Sequence, residues 1–186
     1  QYVWIKSVTY KPHGIALEIE STFGSGKCEI GLLGGFNVEN FACALTVLLS
    51  MGYDFEKLLR GASKLKPIKG RMECFRAEGK PHIVVDYAHT PNGIESLLDF
   101  VSTLDHNRII TVIGQAGERD TSKRKTVGSI VAKNSDIAIF CYEDPRGEDP
   151  KDIIDMMCED IRDMDNYKII IDRSEAIGYA IDIAQD

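Results

Sequence analysis

Two short runs carry residue types that could do chemistry. The first is Gly70-Arg71-Met72-Glu73; in the second, an apolar segment from His82 to Val85 stops at Asp86-Tyr87-Ala88-His89-Thr90-Pro91. That order puts a carboxylate and an imidazole at the C-terminal edge of a strand, just before a helix, where open α/β sheets bind ligands. Asp86 has two readings: a cap for the following helix, or an acceptor for the vicinal hydroxyls of a ribose. His89 is either a packing residue of the turn or a catalytic group.

Two later strands end in the same way. Ile113 is followed by Gly114-Gln115-Ala116-Gly117-Glu118-Arg119-Asp120-Thr121-Ser122-Lys123-Arg124, and Phe140 by a loop from Tyr142 to Asp149. The first loop lacks the lysine spacing of a P-loop. Its Arg119, Lys123, Arg124 and Lys125 form either a solvated basic patch or a guanidinium site for a carboxylate, which a planar fork grips with two bonds. Glu143, Asp144 and Arg146 place both signs of charge within four residues. Such a loop suits a zwitterion such as an amino acid; the alternative is an ion pair internal to the loop, of small energetic value. Earlier in the chain, Asn37 and Asn40 follow Gly34-Gly35 at a helix start, where they cap the helix or offer an amide edge to a nucleobase.

The elements that must position these groups fall into two regions. Residues 1 to about 33 read as short strands, with a turn at Lys11-Pro12-His13-Gly14 and a hairpin tip at Gly24-Ser25-Gly26. A helix from Val38 to Met51 ends at Gly52, and a second, capped by Asp54, runs to Leu65. Phe41, Leu45, Leu48 and Leu49 form a helical apolar stripe; they and Trp4 are expected in the core. Lys66 to Gly70 is a linker in composition.

Beyond it, strands Ile83–Val85, Arg108–Ile113, Ile137–Phe140 and Lys168–Ile171 alternate with helices. These run over Pro91–Leu104, Lys125–Asn134 and Asp149–Met164, with a last helix capped by Ser174. Short apolar strands alternating with amphipathic helices predict an α/β fold, a mostly parallel sheet covered on both faces. The strand directions place the three polar loops on one edge of that sheet, around a shared crevice.

Composition narrows the class. The 186 residues suffice for one or two globular domains. A net charge of −7 argues against nucleic acid as partner. No apolar stretch reaches the roughly 20 residues needed to span a bilayer, so no membrane partner is expected. The five cysteines are odd in number and scattered; with no Cys/His cluster for a metal, they read as reduced thiols of a cytoplasmic protein. The strand-like start at Gln1 suggests a piece of a longer protein.

Taken together, the motifs resemble the Mur ligase family, ATP-dependent enzymes that build the peptide of peptidoglycan. The resemblance rests on Gly35-Phe36-Asn37-Val38-x-Asn40, Gly70-Arg71-Met72-Glu73, Asp86-Tyr87-Ala88-His89-Thr90-Pro91, Gly117-x-Arg119-Asp120-x-x-Lys123-Arg124 and Asp144-Pro145-Arg146-x-Glu148-Asp149-Pro150. It covers nearly the whole chain and is strongest to the branch that adds the third residue of the stem peptide. It implies that residues 1–69 are the tail of the central ATPase domain and residues 70–186 a Rossmann-like C-terminal domain. The P-loop, the Mg2+ ligands and the UDP-sugar domain would precede Gln1.

The resemblance also implies roles. Asn37 and Asn40 would contact the adenine side of ATP, Arg71 would reach ATP from the hinge, and Asp86 would hold the ribose. His89 would sit by the reaction centre or the hinge. Arg124 would bind a carboxylate of the incoming amino acid, and Glu143, Asp144, Pro145 and Arg146 would read its distal end. The implied substrates are UDP-N-acetylmuramoyl-dipeptide and a diamino acid, joined through an acyl phosphate, by a monomeric enzyme.

One loop departs from the family pattern. Branches that use meso-diaminopimelate read Asp-Asn-Pro-Arg where this chain has Glu143-Asp144-Pro145-Arg146. The two arginines favour diaminopimelate over lysine, whereas Asp144 adds a negative charge that opposes a second carboxylate. A folylpolyglutamate synthetase-like amide ligase and a non-catalytic nucleotide-binding module are the competing readings.

Overall fold

A computed structural model describes residues 2–11 and 13–184, so Pro12 of the expected Lys11–Gly14 turn lies outside the described residues. The chain divides into two compact units. One takes in residues up to Phe75 together with Val84–Tyr87; the other holds Arg76–Ile83 and the chain from Ala88 onward. Among the described residues no helix is long and apolar enough to cross a membrane.

The first unit is an antiparallel meander of β1 (Val3–Lys11), β2 (Gly14–Ser21) and β3 (Gly24–Ile30), with helices α1 (Phe36–Ser50) and α2 (Phe55–Ala62). Strict alternation in β2 turns Ile15, Leu17 and Ile19 into the core, each at most 2% exposed. Phe41, Leu45 and Leu49 of α1 and Phe55 and Leu59 of α2 complete that core, with Leu48 only half-buried. Trp4, expected inside, is 66% exposed. Its cross-strand partner is Glu20, which the alternation sets on the face opposite Ile19.

Local chemistry sets the ends of these elements. Asp54 caps α2 by accepting from Lys57 N–H at 2.8 Å, as expected. Gly52, just past α1, takes φ 88°, the left-handed conformation a closing glycine supplies. The hairpin tip lies earlier than Gly24-Ser25-Gly26: Ser21 Oγ accepts from Phe23 N–H and donates to Gly24 O, and β3 starts at Gly24.

After α2 come β4 (Glu73–Phe75) and β5 (Ile83–Val85), which form a separate two-stranded sheet. The expectation that β5 belongs to the parallel sheet is corrected by this pairing. The parallel sheet is β6 (Ile110–Ile113), β7 (Ile137–Phe140) and β8 (Tyr167–Ile169), in that order.

Strand β7 shows why its sequence is apolar throughout. Ala138 and Phe140 face a core formed with α3 (Pro91–Ser102), α4 (Arg124–Lys133) and α5 (Pro150–Met157). Ile139 and Cys141 face α6 (Arg173–Ile183) through Ala176, Tyr179 and Ala180. Burial on both faces is the condition for a continuous apolar strand, and the predicted α/β architecture with helices flanking a parallel sheet is present.

Several boundaries differ from expectation by one to three residues, as where α2 stops at Ala62 short of Leu65, and two differences are larger in consequence. Helix α5 stops at Met157, and the chain to Met164 proceeds by i→i+3 bonds, Ile161 N–H to Cys158 O and Met164 N–H to Ile161 O. The cap of α6 is Asp172, which accepts from Glu175 N–H at 2.9 Å, so Ser174 lies inside the helix.

Candidate functional site

The first group of functional candidates lies within the first unit. Gly70 adopts φ 70° and Met72 φ 47°, so the Gly-Arg-Met-Glu run is a tight bend. A non-glycine residue at positive φ persists only where its surroundings hold it. Here Met72 is 2% exposed, and its N–H donates to Asp86 Oδ2 at 2.8 Å. Glu73 Oε2 accepts from Gly70 N–H at 2.8 Å and closes the same bend.

Of the two sequence readings of Asp86, the helix cap is not the one realised. The cap of α3 is Thr90, whose Oγ1 accepts from Gly93 N–H at 3.3 Å, with Pro91 opening the helix. Asp86 instead holds the bend that carries Arg71. The exposed Arg71 side chain lies over the Tyr87 ring, 4.6 Å from its centroid, a cation–π contact that orients the guanidinium.

Asn37 and Asn40 likewise do not cap. Gly35 is the cap position of α1, with no side-chain bond there. Asn37 Nδ2 donates to Leu33 O at 2.7 Å, and Asn40 Nδ2 donates to Asn37 Oδ1 at 3.2 Å. The half-buried Asn37 thereby positions the exposed Asn40.

The second group lies within the second unit, in the loops that follow β6 and β7. Because those strands are parallel neighbours, their loops leave the sheet side by side. Two glycines make the close approach possible. A β-carbon on Gly114 would stand 2.6 Å from Cys141 O, and one on Gly117 only 2.0 Å from Pro145 O. Gly117 N–H donates to Asp144 O at 2.8 Å.

Arg124, the first residue of α4, is 1% exposed. Its Nη1 donates to Glu148 Oε2 at 2.7 Å and its Nη2 to Glu148 Oε1 at 2.9 Å, with Ala116 O accepting from Nη2 at 3.3 Å. Glu118 N–H also donates to Glu148 Oε1. Arg124, expected from the sequence to take an incoming carboxylate, here holds the chain's own Glu148 on its fork. The guanidinium of this loop that faces solvent is Arg119.

Glu148 is the residue that single-position reading passed over. Its only signal was its place in the Asp144–Pro150 motif, because its partner stands 24 residues away in sequence. In the same loop Arg146 Nε donates to Asp144 Oδ2 at 3.3 Å, the internal ion pair foreseen as the alternative. Glu143 is exposed and Pro145 half-buried. Glu118 and Arg146 take φ 52° and 50°, so both loops are bent at non-glycine residues. His89 is exposed, and its carbonyl accepts from Lys123 Nζ at 2.9 Å, which ties the start of α3 to the β6 loop.

Hydrogen bonds from Arg124 and from Glu118 N–H hold the Glu148 carboxyl down at about 2, against an ordinary 4.5. A depressed carboxylate contributes stability that is present above its unfolded value and fades as pH falls through the folded one. The loop clamp is therefore expected to persist from neutral pH through pH 4.5 and to weaken toward pH 2. Carboxyl ¹³C titration of Glu148 checks this: a midpoint near the ordinary value would contradict the clamp.

Residues 70–186 match the family model described as Mur ligase, glutamate ligase domain. Over 183 residues the chain is 36% identical to the UDP-N-acetylmuramoyl-L-alanyl-D-glutamate--2,6-diaminopimelate ligase of Vibrio vulnificus (strain YJ016), covering 98% of this chain and 37% of that protein. A solved structure of a ligase of the same name is 32% identical with a TM-score of 0.58, covering 95% of this chain and 36% of the other. The folylpolyglutamate synthase of Mycobacterium tuberculosis, complexed with ADP and AMPPCP, superimposes with a TM-score of 0.77 at 19% identity, over 97% of this chain and 41% of that one; this likeness is one of fold. The chain spans little more than a third of the length of these relatives. By the match of its second region and its identity to the diaminopimelate ligase, the chain belongs to the Mur ligase family.

Proposed function

We propose that the chain is the distal part of an ATP-dependent ligase that joins a diamino acid to UDP-N-acetylmuramoyl-L-alanyl-D-glutamate by an amide bond, with meso-diaminopimelate as the added residue. The observation that carries this reading is the 36% identity to a diaminopimelate ligase across 98% of the chain. Under this reading residues 1–69 end the central ATPase domain and residues 70–186 form the C-terminal domain of a monomeric cytoplasmic enzyme. Mg2+ ligands belong to the sequence upstream of Gln1.

The residues of the first unit fit a nucleotide. Arg71 offers an exposed guanidinium braced on Tyr87, suited to phosphate oxygens. Asp86, oriented by Met72 N–H, holds the ribose, and Asn40, positioned by Asn37, faces the adenine. ATP supplies the phosphoryl group that activates the carboxylate to be joined. His89 stands beside the reacting groups.

In the second unit the exposed Arg119, on the loop that leads to Arg124, takes a carboxylate of the incoming amino acid. Glu143, Asp144, Pro145 and Arg146 read its distal end. Lysine is the second reading, and one observation favours it. Asp144 already neutralises Arg146 within the loop, which weakens the attraction for a second carboxylate.

The test is ligation by the full-length enzyme with the UDP-dipeptide, ATP and either diamino acid. Diaminopimelate-dependent product is expected, with less from lysine. Equal or better use of lysine overturns the diaminopimelate assignment, and no ATP-dependent ligation with either overturns the ligase reading.

A further inference from the structure

The Arg124–Glu148 pair is built at a cost that folding alone does not explain. Arg124 is fully withdrawn from water, and its Nε is buried without a hydrogen-bond partner. An unmet buried donor is unfavourable, and withdrawing a guanidinium from water to meet a carboxylate that stays 31% exposed often gains no more stability than apolar side chains of the same volume. What the pair does supply is direction, because a fork bound at both tips fixes the carboxylate in plane and in register.

That carboxylate joins separate pieces of backbone. Arg124 opens α4, Glu118 N–H belongs to the bent loop after β6, and Glu148 closes the loop after β7, two residues from the bend at Arg146. Glu118 and Gly147 are also packed so closely that a β-carbon on Gly147 would stand 2.6 Å from Glu118 Oε1. The exposed groups carried between these anchors are Arg119 on one loop and Glu143, Asp144 and Arg146 on the other.

We infer that Glu148 and Arg124 are positioning residues: their two-bond pair sets the spacing between Arg119 and the Glu143–Arg146 loop, and so sets affinity for the incoming amino acid without touching it. The inference rests on the reading of these loops as the amino-acid site. Arg146 is then presented by Glu148, two residues downstream, and Arg119 by Glu118, its neighbour.

The test uses the full-length enzyme with Glu148→Gln, which keeps the shape and removes the charge, and Arg124→Lys, which keeps the charge and removes the fork. Each is expected to raise KM for the amino acid about tenfold or more while KM for ATP stays within about twofold. A purely structural role would lower the active fraction, and with it kcat, leaving KM unmoved. The double variant is expected to match the worse single one, since residues acting as a unit are not additive.

An unchanged amino-acid KM in folded Glu148→Gln, or an equal rise for ATP, overturns the inference. If Glu148→Gln does not fold, Glu148→Asp replaces it, with the same KM split expected from the shortened reach. Amide hydrogen exchange separates this inference from the ligase reading. Exchange at Glu118 is expected to quicken about tenfold or more in the variant, and an unchanged rate overturns the clamp even if the wild-type enzyme ligates. Wild-type enzyme without ligation overturns the ligase reading alone.

Discussion

Arg71→Ala in the full-length enzyme lowers kcat/KM for ATP-dependent ligation by on the order of 10²-fold, the usual cost of removing one donor aimed at developing negative charge. The guanidinium is exposed, so its loss leaves no cavity and no unpaired buried partner. Thermal stability should accordingly stay near that of the wild type. Arg71→Lys retains charge but loses the planar face that lies on Tyr87, and it should recover only part of the rate. Asp86→Ala reaches the same reaction by a second route: the Met72 N–H loses its acceptor, and the positive-φ bend beneath Arg71 loses its hold. Asp86→Ala is therefore expected to cut turnover by a similar factor and to lower stability by about 1–3 kcal/mol, the cost of a buried donor left unmet. Steady-state kinetics and thermal unfolding on the same preparations check both. Turnover at the wild-type level in Arg71→Ala would remove that residue from the reaction.

Gly128→Ala is the second large effect, and here two contributions oppose each other. Alanine in a helix interior gains up to about 1 kcal/mol over glycine. At Gly128 a β-carbon would stand 1.8 Å from Met157 O and 2.7 Å from Met157 C, where α4 meets the end of α5. The obstacle is backbone, which has no alternative rotamer, so relief requires α4 and α5 to move apart across a core that holds Val127, Val131, Ile154 and Met157. Overpacking of that kind costs about 3 kcal/mol, and it wins. Gly178, in α6 of the same unit, has open space at its β-carbon; Gly178→Ala should hold or raise the melting temperature. Calorimetry of the two variants settles the matter by sign: a stable Gly128→Ala would mean that the two helices separate at no cost.

The residues show how far pattern alone carries. Asp54, Gly52 and the apolar run of β7 were legible because each depends on neighbours within a few positions: a cap on the N–H three residues on, a left-handed closing residue, a strand buried on both faces. Trp4 was misplaced because a strand's two faces look alike until a partner fixes which is inside; its pairing with Glu20 does so. A cap for α3 was one of the two roles open to Asp86, but Thr90 stands nearer the helix and makes that bond. Asp86 found a backbone N–H 14 residues upstream instead.

The candidate site divides along the same line. Sequence by itself determined which residue types stand at the ends of β5, β6 and β7, their order, and through them the family. It also determined that the loop after β7 carries charges of both signs, since composition and spacing are local properties. Only the tertiary structure decided which charge meets which. Arg124 is the buried partner of Glu148 across 24 residues, Arg119 is the guanidinium that faces water, and β5 pairs with β4 instead of joining the parallel sheet. The physical reason is that a guanidinium can satisfy any carboxylate brought within reach. Which one arrives depends on the parallel pairing of β6 with β7, which brings the loop glycines Gly114 and Gly117 against the β7 loop, and that pairing is not written in the sequence near Arg124.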